Sequence, residues 1–94
     1  MSNITGNFAA DGSSADIKTS KFTILLGHTT DTDNNFGGGT VTLYVSHDGV
    51  NFTADSTYTA EDVITSVEYV SGVVMRLTLA GSTSPDLDYS ISYV

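Results

Sequence analysis

Three stretches hold residues able to do chemistry. The first is His47-Asp48-Gly49, set inside the run T-V-T-L-Y-V-S-H-D-G-V-N-F-T from residue 40 to 53. A histidine beside an aspartate suggests an acid–base pair. A catalytic histidine also needs an orienting partner and a nucleophile that face it, and sequence neighbours on a turn rarely do. Asp-Gly between two β-rich runs is instead a strong hairpin signal, because the tight primed turn needs the positive φ that both residues tolerate. The stretch reads as a hairpin.

The second stretch is Asp31-Thr32-Asp33-Asn34-Asn35-Phe36. Asp31, Asp33 and Asn35 alternate as ligands do in a calcium loop. Phe36 then stands where such a loop needs glycine for its sharp turn. The twelfth position is Thr42 rather than a bidentate glutamate, and it already belongs to a strand pattern. Asp, Asn and Gly are what ordinary turns are made of, so no metal is expected.

The third is Gly37-Gly38-Gly39, which superficially resembles a phosphate cradle. A phosphate loop continues into Lys-Ser/Thr and a helix. Here Thr40-Val41-Thr42 follows, and a strand begins. His28 and His47 are the only histidines, there is no cysteine, and no Gly-x-Ser-x-Gly elbow occurs. The carboxylates are scattered as on a solvated acidic surface, and a domain this small leaves little room for a sugar-cleaving cleft. The sequence predicts no catalytic residues, no cofactor and no enzyme.

The totals point the same way. Ninety-four residues allow one domain with a modest core. Eleven acidic residues face three basic ones (Lys18, Lys21, Arg76), giving a net charge of −8. Such a chain is repelled by phosphate backbones and anionic membranes, so nucleic acid and membrane are not expected partners. Without cysteine there are no disulfides or thiolate metal sites. No apolar run approaches the roughly 20 residues of a membrane span. The start, Met1 to Gly6, shows neither the charged nor the apolar part of a signal peptide, which implies synthesis and use without a secretory step.

Elements of period two must position these stretches. Val41, Leu43 and Val45 alternate with Thr40, Thr42, Tyr44 and Ser46. Phe22, Ile24 and Leu26 form another stripe, as do Val73, Met75, Leu77 and Leu79, and Leu87, Tyr89, Ile91 and Tyr93. A fifth is Val63, Thr65, Val67 and Tyr69. Shorter strands are expected near 3–9 and 51–59, and no window carries a sustained helical stripe. Turn-forming clusters at 11–14, 34–39, 48–49, 71–72 and 81–86 separate the runs. About seven short strands predict an all-β fold, a single small antiparallel β-sandwich spanning residues 1–94, immunoglobulin-like or jelly-roll in its connections. Residues 1–20, poor in apolar side chains, are expected to form an extended N-terminal arm that orders on docking.

On these registers Tyr44, Ile64, Val70 and Val74 point away from the core, and Arg76 stands among them. Outward apolar side chains clustered on one sheet, with an arginine, suit an interface with another subunit. Tyr44, Ile64, Val74 and Arg76 are the candidate interface residues.

The order Lys21-Phe22-Thr23-Ile24-Leu25-Leu26, then Gly39 to Phe52, then Val74-Met75-Arg76-Leu77-Thr78-Leu79 and Gly81-Ser82-Thr83 resembles small β-sandwich virion proteins of tailed bacteriophages. Those carry a G-T-V-x-L-x-x-S strand, a D-G turn closed by an aromatic, and a late Arg-Leu strand. The aromatic is usually Trp, where this chain has Phe52. The resemblance covers roughly residues 20–94 and its motifs are hairpin-like. It implies a capsid decoration protein, or a head or tail accessory, present in many copies. It also implies the major capsid protein or other virion proteins as partners, a homo-oligomer, and assembly into the virion in the host cytoplasm. The alternative is a carbohydrate-binding β-sandwich module for host-surface glycans on a fibre or knob. Such a module stacks sugars on exposed aromatics, for which Tyr44, Phe36 and Tyr58 are the platforms on offer.

Overall fold

Alternation along the chain becomes pairing between strands in the structure, a computed structural model that describes residues 2–27, 34–65 and 72–94. Nine strands occur among these residues: β1 Ser2–Phe8, β2 Gly12–Ser13, β3 Ile17–Thr19, β4 Phe22–Leu26, β5 Thr40–Ser46, β6 Thr53–Tyr58, β7 Asp62–Thr65, β8 Val73–Ala80 and β9 Leu87–Tyr93. They form two antiparallel sheets. The first has the order β1-β9-β4-β7, and the second β2-β8-β5-β6, with β3 also paired to β8. The chain crosses between sheets at almost every connection. If β2 and β3 count as one broken strand, this is the strand order of a jelly roll, which settles the choice between the two expected topologies.

The core lies between the sheets. Ile4 pairs with Ile91, Ile91 with Ile24, and Ile24 with Ile64, so a row of four isoleucines runs across the whole first sheet. Directly opposed residues share a face, so one inward isoleucine fixes the facing of the other three. Ile24 and Ile91 are fully buried. The second sheet answers with Val41, Leu43, Met75, Leu77 and Leu79, all essentially inaccessible. β-branched and long aliphatic side chains suit this pleated, two-layer interior.

Three expectations need correction. The stripe Val63, Thr65, Val67, Tyr69 is out of register where it can be read. Ile64 faces inward at 8% exposure, whereas Val63 is 51% exposed. The adjacent pair Val63-Ile64 offers two registers, and pairing with buried Ile24 selects the second. Val67, Tyr69 and Val70 lie outside the described residues. Second, Gly12–Ser13 is strand rather than turn, because the β8 ladder recruits it. Third, the segment expected as an arm is woven into both sheets. Ser2–Phe8 pairs along its length with β9, and Phe8 and Ile17 enter the core. Buried Ser14 bridges the gap between β2 and β3: its N–H donates to the Leu77 carbonyl at 2.8 Å, and its hydroxyl accepts from the Leu77 N–H at 3.0 Å.

Candidate docking face

The outer face of the second sheet collects the unusual surface residues. Tyr44 on β5 pairs with Arg76 on β8, and Lys18 on β3 pairs with Val74 on β8, so these four side chains share that face. Arg76 is held from two sides. Its Nε and Nη2 donate to the two carboxylate oxygens of Asp16 at 2.7 and 2.9 Å. Its guanidinium carbon lies 4.0 Å above the centre of the Phe52 ring. A planar, two-pronged ion pair on one side and an aromatic face on the other fix a side chain that is otherwise long and mobile. The Arg76 guanidinium lowers the Asp16 pKa through these hydrogen bonds, and Asp16 raises that of Arg76. In a chain with three cations, two lie on this face.

The loop of residues 47–52 between β5 and β6 carries Phe52 to the face, against Arg76, and includes the 78%-exposed Val50. It is a six-residue loop rather than the tight two-residue turn expected from Asp-Gly. Asp48 organises it. Its Oδ1 accepts from the N–H groups of Val50 and Asn51, both at 2.8 Å, and from the Ser46 hydroxyl, while Oδ2 accepts from the Asn51 amide. The Ser46 hydroxyl oxygen in turn accepts from the Gly49 N–H at 2.9 Å, and Gly49 takes the positive φ, +76°, that the sequence assigned to it. The Asp48 carboxylate is thus committed to its own loop. His47 is not among these partners, and it lines an open cleft of about 430 Å³ with Asp48 and Asn51.

These bonds hold the Asp48 carboxyl far below its ordinary value of 3.8, first through the Asn51 and Val50 N–H groups, then through the Asn51 side chain and Ser46. The folded pKa lies below the unfolded one, so the stabilisation is complete above pH 3.8 and disappears as the pH falls below it. Asp11, held down by the Ser82 hydroxyl and backbone, and Asp16 act in the same direction. Urea midpoints are therefore expected to be flat above pH 5 and to fall below pH 4. In Asp48→Asn the acid limb becomes shallower. An unchanged slope would show that the loop carboxylate plays no part in acid unfolding.

Of the expected interface residues, the structure brings Tyr44, Val74 and Arg76 together. Ile64 is excluded, because it is part of the core of the other sheet. Lys18, Asp16 and Phe52 complete the face and were not foreseen as part of it, since only the β3–β8 and β5–β8 registers show who stands beside whom. Of the proposed sugar platforms, Phe36 and Tyr58 pack partly buried against the core, and the Tyr58 hydroxyl is hydrogen-bonded to Ser56.

Asp31 and Asp33 of the calcium-like stretch lie outside the described residues, as does His28. Asn35 uses its Oδ1 to accept from the Gly37 N–H at 2.8 Å, a local turn contact, and its backbone pairs with Asp86. Among the described residues no group of three His, Asp or Glu side chains is placed to hold a metal. Of the three glycines, Gly37 and Gly39 serve close packing. A Cβ on Gly39 would lie 2.8 Å from the Ser82 side chain and 2.9 Å from the Ala80 carbonyl. The remaining broad surface, the outer face of the first sheet, presents mainly hydroxyl and amide side chains such as Asn3, Thr5, Thr23, Ser90 and Ser92.

Compared with protein-family models, curated proteins and solved structures, the chain finds no match in any of the three.

Proposed function

We propose that this chain is a non-enzymatic structural protein of a bacteriophage virion, a capsid decoration or accessory protein that docks on the particle through the outer face of its second sheet. The observation that carries the docking part is the gathering of Tyr44, Phe52, Val74, Lys18 and a doubly held Arg76 on one face of an otherwise acidic molecule. Aromatic side chains and arginine are enriched at the centres of protein–protein contacts, and an arginine already fixed by its neighbours loses little further freedom on docking. The virion part is supported by the resemblance of residues 20–94. A jelly-roll strand order occurs in viral capsid and lectin domains alike. It therefore agrees with this reading and with the glycan-binding alternative, for which Tyr44 is the platform left on the surface.

Quantitative mass spectrometry of purified source particles tests the proposal. Hundreds of copies per particle fit a coat protein, tens fit a fibre or tail element, and absence overturns the virion reading. Co-sedimentation with those particles then tests the face. Tyr44→Ala is expected to weaken binding about tenfold or more while leaving the fold intact. Thr23→Ala, on the other sheet, should leave it unchanged. Equal binding by both variants would remove the face from the proposal.

A further inference from the structure

We infer that the β1 edge of the first sheet is a self-association surface, which takes β1 of a second copy of this chain in antiparallel pairing. The docking face belongs to the other sheet, so the two proposals stand or fall separately.

A sheet edge offers a row of backbone donors and acceptors to any passing strand. Folded proteins guard such edges with charge, proline, bulges or short length. Among the described residues, three of the four edges are guarded. β6 carries a register shift opposite Leu43/Tyr44, with Asp55 at the extra position. β7 opens with Asp62 and follows Glu61. The β2/β3 edge is broken at Ser14-Ala15-Asp16 and carries Lys18. β1 has none of these devices. Its seven residues, S-N-I-T-G-N-F, include no ionisable side chain and no proline, and its register with β9 is unbroken. Among the described residues, no backbone hydrogen bond outside the strand ladders reaches it.

The occupant follows from charge and geometry. Two copies, each of charge −8, repel over most of their surfaces. Among the described residues, β1 is the one edge along which they meet without placing a charged strand residue at the seam. Pairing about a two-fold axis is self-complementary, and facing residues must lie on the same side of the sheet. Full overlap of Ser2–Phe8 with its copy sets Thr5 opposite Thr5, Asn3 opposite Asn7 and Ile4 opposite Gly6. Ile4 is half-buried, and the space where a Gly6 Cβ would stand is occupied by the Tyr89 ring. Each Ile4 would therefore cover the Tyr89 ring of the other copy. The product is one continuous eight-stranded sheet.

A seven-residue seam falls short of the ~1,200–2,000 Å² of a stable interface, so the dimer is expected to be weak, with a dissociation constant roughly in the micromolar-to-millimolar range. Sedimentation equilibrium over a wide concentration range should show a monomer–dimer equilibrium. Thr5→Lys, which sets two ammonium groups face to face, should weaken it about tenfold or more, and Thr57→Lys on the β6 edge should not. Because the chain has no cysteine, Thr5→Cys supplies a test that does not depend on the lysine variant. Opposed antiparallel residues lie about 4.5–5.5 Å apart at Cα, within disulfide range. Mild oxidation should therefore link Thr5→Cys into dimers and leave Thr57→Cys monomeric. A monomer at every concentration overturns the inference. So does a dimer that tolerates Thr5→Lys and gives no Thr5→Cys link.

Discussion

Ile91→Ala is expected to destabilise the fold by about 2–5 kcal/mol, the cost of removing a large aliphatic side chain from a closed site. Ile91 is fully buried at the centre of the isoleucine row, with Ile4 on one side and Ile24 on the other. A domain of this size has only about 5–15 kcal/mol of net stability, so one substitution removes a large fraction of it. Thermal unfolding should shift down by roughly 10–30 °C. Val63→Ala, one residue from the row's Ile64 end but facing solvent, should change stability by less than ~0.5 kcal/mol. A shift for Ile91→Ala no larger than for Val63→Ala would mean that the row is not packed as described.

Gly37→Ala is expected to cost roughly 2–5 kcal/mol, from two causes that a neighbouring glycine separates. Gly37 has φ +62°, and a Cβ there would lie 2.5 Å from the Thr83 carbonyl oxygen and 2.9 Å from its nitrogen. Those backbone atoms cannot easily retreat, because the Thr83 N–H donates to the Gly37 carbonyl at 2.9 Å. Gly38 also has positive φ, +76°, but nothing lies within 4 Å of its Cβ position. Gly38→Ala should therefore pay only the conformational part, about 1–2 kcal/mol. Equal losses in parallel urea melts of the two variants would show that the close approach to Thr83 is not a constraint.

Gly37 also marks where sequence reasoning reached its limit. Composition shows that the 34–39 segment turns. It does not show that the segment docks on the 81–86 loop, because nothing local in G-G-G names a partner more than forty residues away. The all-β class and the stripes at Phe22, Val73 and Leu87 were legible, since alternation depends only on one buried face. The Val63/Ile64 register was not, because two adjacent apolar residues satisfy either phase and Ile24 decides between them. β3 was missed for a related reason: it is only three residues long, with Ile17 as its single large apolar side chain. The candidate face shows the same division. Tyr44, Val74 and Arg76 could be assigned outward by parity alone. Phe52 beneath Arg76 and Asp16 beside it required the three-dimensional contacts between loop and strand.

The strand order also sets a timetable. The centre of the first sheet includes β9, and the centre of the second includes β8, which stand last in the order β1 to β9. β1 finds its partner in β9, nearly the whole chain length away. A chain grown only as far as Gly72 can form the β5–β6 hairpin and the β4–β7 pair, but neither sheet. Both layers stay incomplete until residues 73–94 arrive with β8 and β9. Non-local pairing of this kind is slow among small domains and leaves apolar strands exposed in the meantime. The neutral β1 strand thus waits longest of all, uncovered in the growing chain until β9 is made.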